Sequence, residues 1–188
     1  MKNIVFIAAH PNLSQSTTTK CVTEIIQSKP ECRNGNIEIR ILSDLYPDYK
    51  IDVKAEQEAL LKAEVIVLQF PFYWYNVPAI LKLWLDEVLE YGFAYGRTGD
   101  KLKGKILLLS LSTGGPEDAY KPEGRNNAYV KDYLSPMKQT AFLTQTIFHE
   151  PLISYGMPNI KGLESDKTVT LEKAKVHAEK LYEILKSI

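Results

Sequence analysis

Ser14, Ser16, Thr17, Thr18 and Thr19 put five hydroxyls into one segment, His10-Pro11-Asn12-Leu13-Ser14-Gln15-Ser16-Thr17-Thr18-Thr19, which holds no Lys or Arg. A helical pattern follows it. The first turn of a helix offers unpaired N–H groups and a positive dipole end, so hydroxyls placed there complete a phosphate site without cationic side chains. Simple N-capping would account for one hydroxyl and leave the rest unexplained. The segment contains neither G-x-G-x-x-G nor Gly-Lys-Ser/Thr, so neither the dinucleotide Rossmann turn nor the NTPase P-loop is supported. His10 is open between a base, a metal ligand, a phosphate contact and a satisfied loop residue. His149 and His177 are remote in sequence and fall on expected helices, so no metal-binding cluster is expected.

Two further segments carry chemistry. Phe72, Tyr73, Trp74 and Tyr75 follow Pro71 and precede Asn76-Val77-Pro78. Four consecutive aromatics cannot all face a core, so some line a surface pocket suited to a planar aromatic ligand. Ser112-Thr113-Gly114-Gly115 lets the backbone approach a ligand and aim N–H groups at developing negative charge. A phosphate end, an aromatic middle and a close-contact polar end together match the layout of flavin mononucleotide. A Ser-His-Asp hydrolase would need a G-x-S-x-G elbow, which is absent. No aspartate cluster at strand ends awaits Mg²⁺.

The elements that position these segments are legible as apolar runs. Ile4-Val5-Phe6-Ile7, Val65-Ile66-Val67-Leu68 and Ile106-Leu107-Leu108-Leu109 are continuous, as in parallel strands buried on both faces. Ile37-Glu38-Ile39-Arg40-Ile41-Leu42 alternates and reads as an edge strand. A fifth strand is expected between residues 151 and 155. Residues 78–91 predict a helix with Leu81, Trp84, Leu85 and Val88 on one face, and a charged stripe of Lys82, Asp86 and Glu90 opposite. Pro78 suits its first turn and Gly92 the position past its end. Residues 170–185 predict another, with Leu171, Ala174, Ala178, Leu181 and Leu185 on its buried face. Further helices fit residues 17–28, 52–63 and 135–148. The β-α order, repeated five times, implies a doubly wound parallel α/β domain. All three chemical segments leave carboxyl ends of strands, the edge where such sheets bind ligands.

The chain has 188 residues and a formal net charge of zero, which suits one domain spanning 1–188. That balance argues against a dedicated nucleic-acid binder. Its apolar content argues against disorder, and no run approaches the length of a membrane span. Cys21 and Cys32 lack zinc-ligand spacing and are read as free thiols of a cytoplasmic protein.

The sequence resembles the flavodoxin-like NAD(P)H:quinone reductases of the DT-diaphorase type. Their bacterial branch includes general stress oxidoreductases, modulators of drug activity and the ancillary flavoprotein of a glutathione-gated potassium efflux system. The resemblance rests on Leu45-Tyr46-Pro47-Asp48, Ala55-Glu56-Gln57-Glu58-Ala59-Leu60, the stretch from Pro71-Phe72-Tyr73-Trp74 through Leu85-Asp86, Gly92-Phe93-Ala94-Tyr95-Gly96, and Ser112-Thr113-Gly114-Gly115. It implies a three-layer sandwich with a five-stranded parallel sheet in the order 2-1-3-4-5. It implies FMN rather than FAD, NADH or NADPH as donor, and a homodimer with sites at the interface. By the same resemblance His10, Ser16, Thr17, Thr18 and Thr19 contact the flavin phosphate and ribityl chain. Pro71, Phe72, Tyr73 and Trp74 lie along the isoalloxazine edge, and Ser112, Thr113, Gly114 and Gly115 meet its N1 and C2-carbonyl side. Tyr120 approaches that carbonyl, and with Gly114 and Gly115 completes the expected catalytic set. Tyr95 reaches the partner's pocket. Two positions depart from the family. Thr19 stands where Asn is usual, and Asn126, in the expected substrate pocket, stands near the position of a His that assists charge transfer. An amide cannot act as an acid near neutral pH.

The activity so implied is two-electron, ping-pong hydride transfer from NAD(P)H to a quinone or similar electrophile. Three rivals remain at this level: a flavodoxin-type electron carrier, whose usual acidity this neutral chain lacks, a regulatory subunit peripheral to a cation efflux transporter, and a degenerate module that keeps FMN with little turnover, hinted at by Asn126. Arg97 and Arg125 both suit a 2′-phosphate, so the choice of nicotinamide stays open.

Overall fold

The computed structural model describes residues 1–158 and 167–188. In chain order the elements are β1 (Ile4–Ala8), α1 (Thr18–Ser28), α2 (Pro30–Arg33), β2 (Ile37–Ile41), α3 (Leu42–Leu45), α4 (Val53–Lys62), β3 (Val65–Pro71), α5 (Ala79–Val88), β4 (Ile106–Ser112), α6 (Val130–Tyr133), α7 (Ser135–Leu143), β5 (Ile147–Phe148), β6 (Leu152–Ser154) and α8 (Lys167–Ser187). The strands form one parallel sheet in the order β2-β1-β3-β4-β5, with β6 also paired to β4. The chain has the flavodoxin-like three-layer fold, with the expected strand order.

The fifth strand corrects the expectation of one continuous element. Its place beside β4 is shared by two short pieces: β5 pairs Ile106 and Leu107, and β6 pairs Ser110 to Ser112. Pro151, between them, has no N–H to donate to a ladder. The helix expected over 135–148 accordingly stops at Leu143, because the chain must turn to enter β5. Gln145 takes φ 59° there, and its carbonyl accepts the Gly104 N–H at 2.9 Å. His149 therefore lies after a strand and not on a helix.

Alternation along the strands splits the interior in two. Val5, Ile7, Ile66, Leu68, Phe70, Leu107, Leu109 and Leu111 pack against α4, α5 and α7. Ile4, Phe6, Ala8, Val65, Val67 and Leu108 pack against Val22 and Ile26 of α1 and Ala174, Ala178, Leu181 and Leu185 of α8. Each fully buried aliphatic side chain contributes roughly 1.5–3 kcal/mol. The α8 face differs from expectation at one position: Leu171 is 37% exposed, while Thr170 and His177 are buried. In α5, Leu81, Trp84 and Val88 are buried, and Lys82 pairs with Asp86. That helix ends at Val88. Gly92 is not its cap; it sits beyond, at φ 85°, in a turn closed by its N–H on the Tyr95 carbonyl at 2.8 Å.

Glu56, fully buried on α4, ties the β2 edge to the helical layer. One carboxylate oxygen accepts from Arg40 Nε at 2.8 Å, Arg40 Nη2 at 2.6 Å and the Tyr46 hydroxyl; the other accepts from Trp84 Nε1 at 2.8 Å. Burial and the bond to Glu56 push the Tyr46 phenol up to about 12. Glu56, Tyr46 and Trp84 belong to the stretches that carry the family resemblance, and with Arg40 their work is structural.

Candidate functional site

The loops after β1, β3 and β4 meet over the carboxyl edge of the sheet and enclose a cavity of about 190 Å³. His10, Ser16, Thr18 and Thr19 line it from the first loop, Pro71, Phe72 and Tyr73 from the second, and Ser112 and Gly114 from the third. Met157 closes one side. Sequence reading missed Met157, since nothing local marks it; it follows β6, whose pairing to β4 brings it here.

At the first loop, Ser16 is the residue that caps the helix, and its Oγ accepts the Thr19 N–H at 3.0 Å. The Thr17 side chain makes no cap bond and does not line the cavity. Thr19 is the informative residue. Its Oγ1 is buried and has no hydrogen-bond partner. A buried hydroxyl left unpaired costs about 1–3 kcal/mol, so it points to a ligand or a water that supplies the missing partner. The start of the 11-residue helix α1 faces the same space, with its unpaired amides and positive dipole end.

His10 links this loop to the second. Its Nδ1 accepts the Asn12 N–H at 3.1 Å, which places the proton of the neutral ring on Nε2. That Nε2 lies 3.0 Å from the Tyr73 hydroxyl, which thus acts as acceptor and keeps its own proton for another partner. Burial lowers the His10 pKa and raises that of Tyr73, holding both neutral.

The aromatic run folds as a tight two-residue turn. Tyr73 and Asn76 exchange N–H···O bonds of 3.0 Å each, and Trp74 and Tyr75 take φ 48° and 62°. Left-handed backbone at two bulky residues costs about 1–3 kcal/mol each and persists only where its surroundings enforce it. Phe72 points inward. Trp74 sits at the tip, 92% exposed, and does not line the cavity. Tyr75 is held from behind: its hydroxyl donates to Asn126 Oδ1 at 3.2 Å, and its ring lies 5.1 Å from that of Tyr133, whose hydroxyl donates to the Asn126 carbonyl. Asn126 is thus a brace for the aromatic turn and not part of the cavity wall.

In the third loop, Thr113 is fully buried and organises the turn. Its Oγ1 donates to the Gly115 carbonyl at 2.8 Å, and its N–H donates to the Ser154 carbonyl at 2.9 Å. The N–H groups of Gly114 and Gly115 are not spent on this turn, and Gly114 lines the cavity. A Cβ at Gly114 would meet only Pro158 Cα, at 3.7 Å, whereas one at Gly115 would lie 3.1 Å from the Tyr120 ring. Tyr120 packs behind the loop, 6.2 Å from Phe72 and 5.9 Å from Tyr155 between ring centroids. Thr113, Gly115 and Tyr120 therefore support the site without lining the cavity. Tyr95 is apart from it, in the turn after α5, edge-on to Tyr91 at 5.8 Å. Among the described residues no group of His, Cys, Asp or Glu could hold a metal ion, and no helix is long and apolar enough to cross a membrane.

The residues present fit a phosphorylated planar ligand. An anion meets helix amides and hydroxyls at one end, and an aromatic wall with free amides stands at the other.

Residues 2–180 match the model of a family described by its flavodoxin-like fold. An uncharacterized NAD(P)H oxidoreductase of Bacillus subtilis is 37% identical over 187 residues, covering 100% of this chain and 99% of that protein. The glutathione-regulated potassium-efflux system ancillary protein KefG of Pectobacterium carotovorum is 39% identical over 152 residues, 81% of this chain and 80% of that protein. Among solved structures, general stress protein 14 of Treponema denticola, in complex with FMN, superposes with a TM-score of 0.82 at 33% identity, covering 96% of this chain and 98% of that one.

Proposed function

The chain belongs to the flavodoxin-like family, and from that membership we propose that it is an FMN-dependent NAD(P)H oxidoreductase that reduces quinones or similar small electrophiles. The carrying observation is the buried, unpaired Thr19 hydroxyl in a cavity that also holds the α1 amides, Tyr73 and the Gly114 turn. Bound FMN supplies two-electron hydride transfer between donor and acceptor; the protein supplies position and electrostatics.

In this reading Ser16, Thr18 and Thr19 and the first amides of α1 hold the phosphate, with neutral His10 fixing the Tyr73 hydroxyl as a donor to the ligand. Phe72 and Pro71 set the aromatic wall. The Gly114 and Gly115 amides stabilise negative charge at the ring's polar edge, as preorganised donors do. Tyr120 and Asn126 position, respectively, the Gly115 turn and the aromatic turn, and neither donates a proton. The same reading has the chain act as a single-domain homodimer, with Tyr95 entering the partner's site and Trp74 covered by that contact. A role beside a cation transporter draws support from the likeness to potassium-efflux ancillary proteins such as KefG, and from no feature of the cavity.

Steady-state kinetics test this directly. NADH or NADPH with a panel of quinones should give parallel double-reciprocal lines, as a shared site and ping-pong order require. Absence of turnover with every pair, in protein that carries FMN, would refute the enzyme reading.

A further inference from the structure

A line of buried polar side chains crosses the sheet one step below the cavity. Positions 65, 67, 69 and 71 of β3 and 106, 108, 110 and 112 of β4 share the face covered by α1 and α8. The first two of each set are apolar, and the last, Pro71 and Ser112, line the cavity. Between them stand Gln69 and Ser110, both fully buried. Ser110 Oγ donates to Gln69 Oε1 at 2.6 Å and lies 2.7 Å from Nε2 of His177. His177, 1% exposed on α8, has its Nδ1 2.7 Å from Ser154 Oγ on β6.

With Gln69 Oε1 turned toward Ser110, the direction of donation along this line follows. Ser110 has one proton and gives it to Gln69, so it accepts from His177 Nε2–H. Nδ1 then carries no proton and accepts from Ser154. Burial holds the imidazole down to about 4, aided by Lys180, so the ring stays neutral at ordinary pH. Each donor points the same way, from Ser154 through His177 and Ser110 to Gln69. The line ends on the Gln69 amide Nε2, a buried donor with no partner.

His177 also reaches the third loop. The Ser154 carbonyl accepts the Thr113 N–H at 2.9 Å. Gly156 N–H donates to the Gly115 carbonyl at 2.8 Å, and Met157 N–H to the Thr113 carbonyl at 2.9 Å. Lys173, one turn before His177 on α8, donates to the Gly156 carbonyl at 3.0 Å. One face of α8 thus grips residues 154–157, and these grip the Gly114–Gly115 turn. The Gln69 carbonyl accepts the Ala9 N–H at 2.8 Å, at the root of the His10 loop.

We infer that His177 is a positioning residue for the cavity: through Ser110 it orients the Gln69 amide as a donor for a ligand oxygen, directly or through one bound water, and through Ser154 it holds the Gly114–Gly115 turn. The identity of the ligand as FMN rests on the function proposed above; the relay itself does not.

The test uses the flavin-free protein with FMN as probe. Nitrogen NMR of the wild-type imidazole should show Nε2 protonated and Nδ1 bare; the opposite tautomer would reverse the relay and overturn the inference. His177→Leu should weaken FMN binding about tenfold, the scale of one lost hydrogen bond. His177→Gln, which can still donate to Ser110, should recover part of that loss. Unchanged FMN affinity in His177→Leu, with lowered stability alone, would mark His177 as merely structural. If His177→Leu does not fold, Ser154→Ala carries the test. It should speed hydrogen exchange at the Thr113 amide and weaken FMN binding, and no change in either overturns the inference. Should wild-type protein fail to bind FMN, the proposed function falls, while the tautomer and the Thr113 exchange still decide the relay.

Discussion

The Nε2 of His10 lies 3.0 Å from the Tyr73 hydroxyl, and that contact joins the loop after β1 to the aromatic turn after β3. Because His10 Nδ1 is occupied by the Asn12 N–H, the imidazole donates and the phenol accepts, which frees the phenol proton for a ligand. Tyr73→Phe should keep the fold and weaken FMN binding by about 1 kcal/mol, roughly fivefold, as read by fluorescence titration. Unaltered affinity would place the Tyr73 proton elsewhere.

Thr19 separates a binding role from a packing role by sign. Its hydroxyl is buried and unpaired in the protein alone, so Thr19→Val removes a desolvated group without leaving a cavity. The flavin-free protein should gain about 1 kcal/mol in urea unfolding, while its FMN affinity falls. Loss of stability together with full FMN affinity would show that the hydroxyl serves only the fold.

The two glycines should part company. A methyl at Gly115 would sit 3.1 Å from the Tyr120 ring and must displace it, so Gly115→Ala should cost about 1–2 kcal/mol of stability and disturb FMN binding. Gly114 has ordinary space for a methyl, 3.7 Å from Pro158 Cα, but lines the cavity. Gly114→Ala should fold normally and lose FMN affinity alone. Thermal melts with and without FMN distinguish the two.

His177 predicts a pH dependence with a fixed sign. Its native pKa, about 4, lies below the usual 6.5, so between those values the unfolded chain binds a proton that the native one does not. Stability is complete above about pH 6.5 and falls as pH drops toward 4, by up to about 3 kcal/mol on a one-group basis. Urea midpoints from pH 4.5 to 7.5 should show that slope, and His177→Gln should flatten it.

Much of this architecture was legible because burial writes itself into composition. Three continuous branched runs announced β1, β3 and β4, and the alternating one announced the β2 edge. The hydroxyl-rich and aromatic loops after β1 and β3 were equally plain. What escaped was non-local. β5 spans only Ile147–Phe148, too short to show a period, so α7 appeared to run through it. Trp74 and Tyr75 adopt left-handed backbone, which no aromatic prefers and only the closed Tyr73–Asn76 turn enforces. Asn126 and Tyr120 enter through the family resemblance alone; neither lines the cavity, Asn126 bonds the aromatic turn and Tyr120 packs behind the third loop. The His177 relay did leave a trace. Gln69 and Ser110 interrupt otherwise apolar strands, and His177 falls on the α8 stripe of Ala174, Ala178 and Leu181. Polar residues so placed need partners, and here they are each other's.

On the proposed function, this cavity takes FMN and presents it to a nicotinamide. The most direct measurement is the visible spectrum of the purified protein during FMN titration, followed by anaerobic addition of NADH or NADPH. Stoichiometric binding, a yellow protein with flavin absorbance, and bleaching of that absorbance by the nicotinamide are the predicted results. A folded, colourless protein that ignores added FMN would contradict the claim.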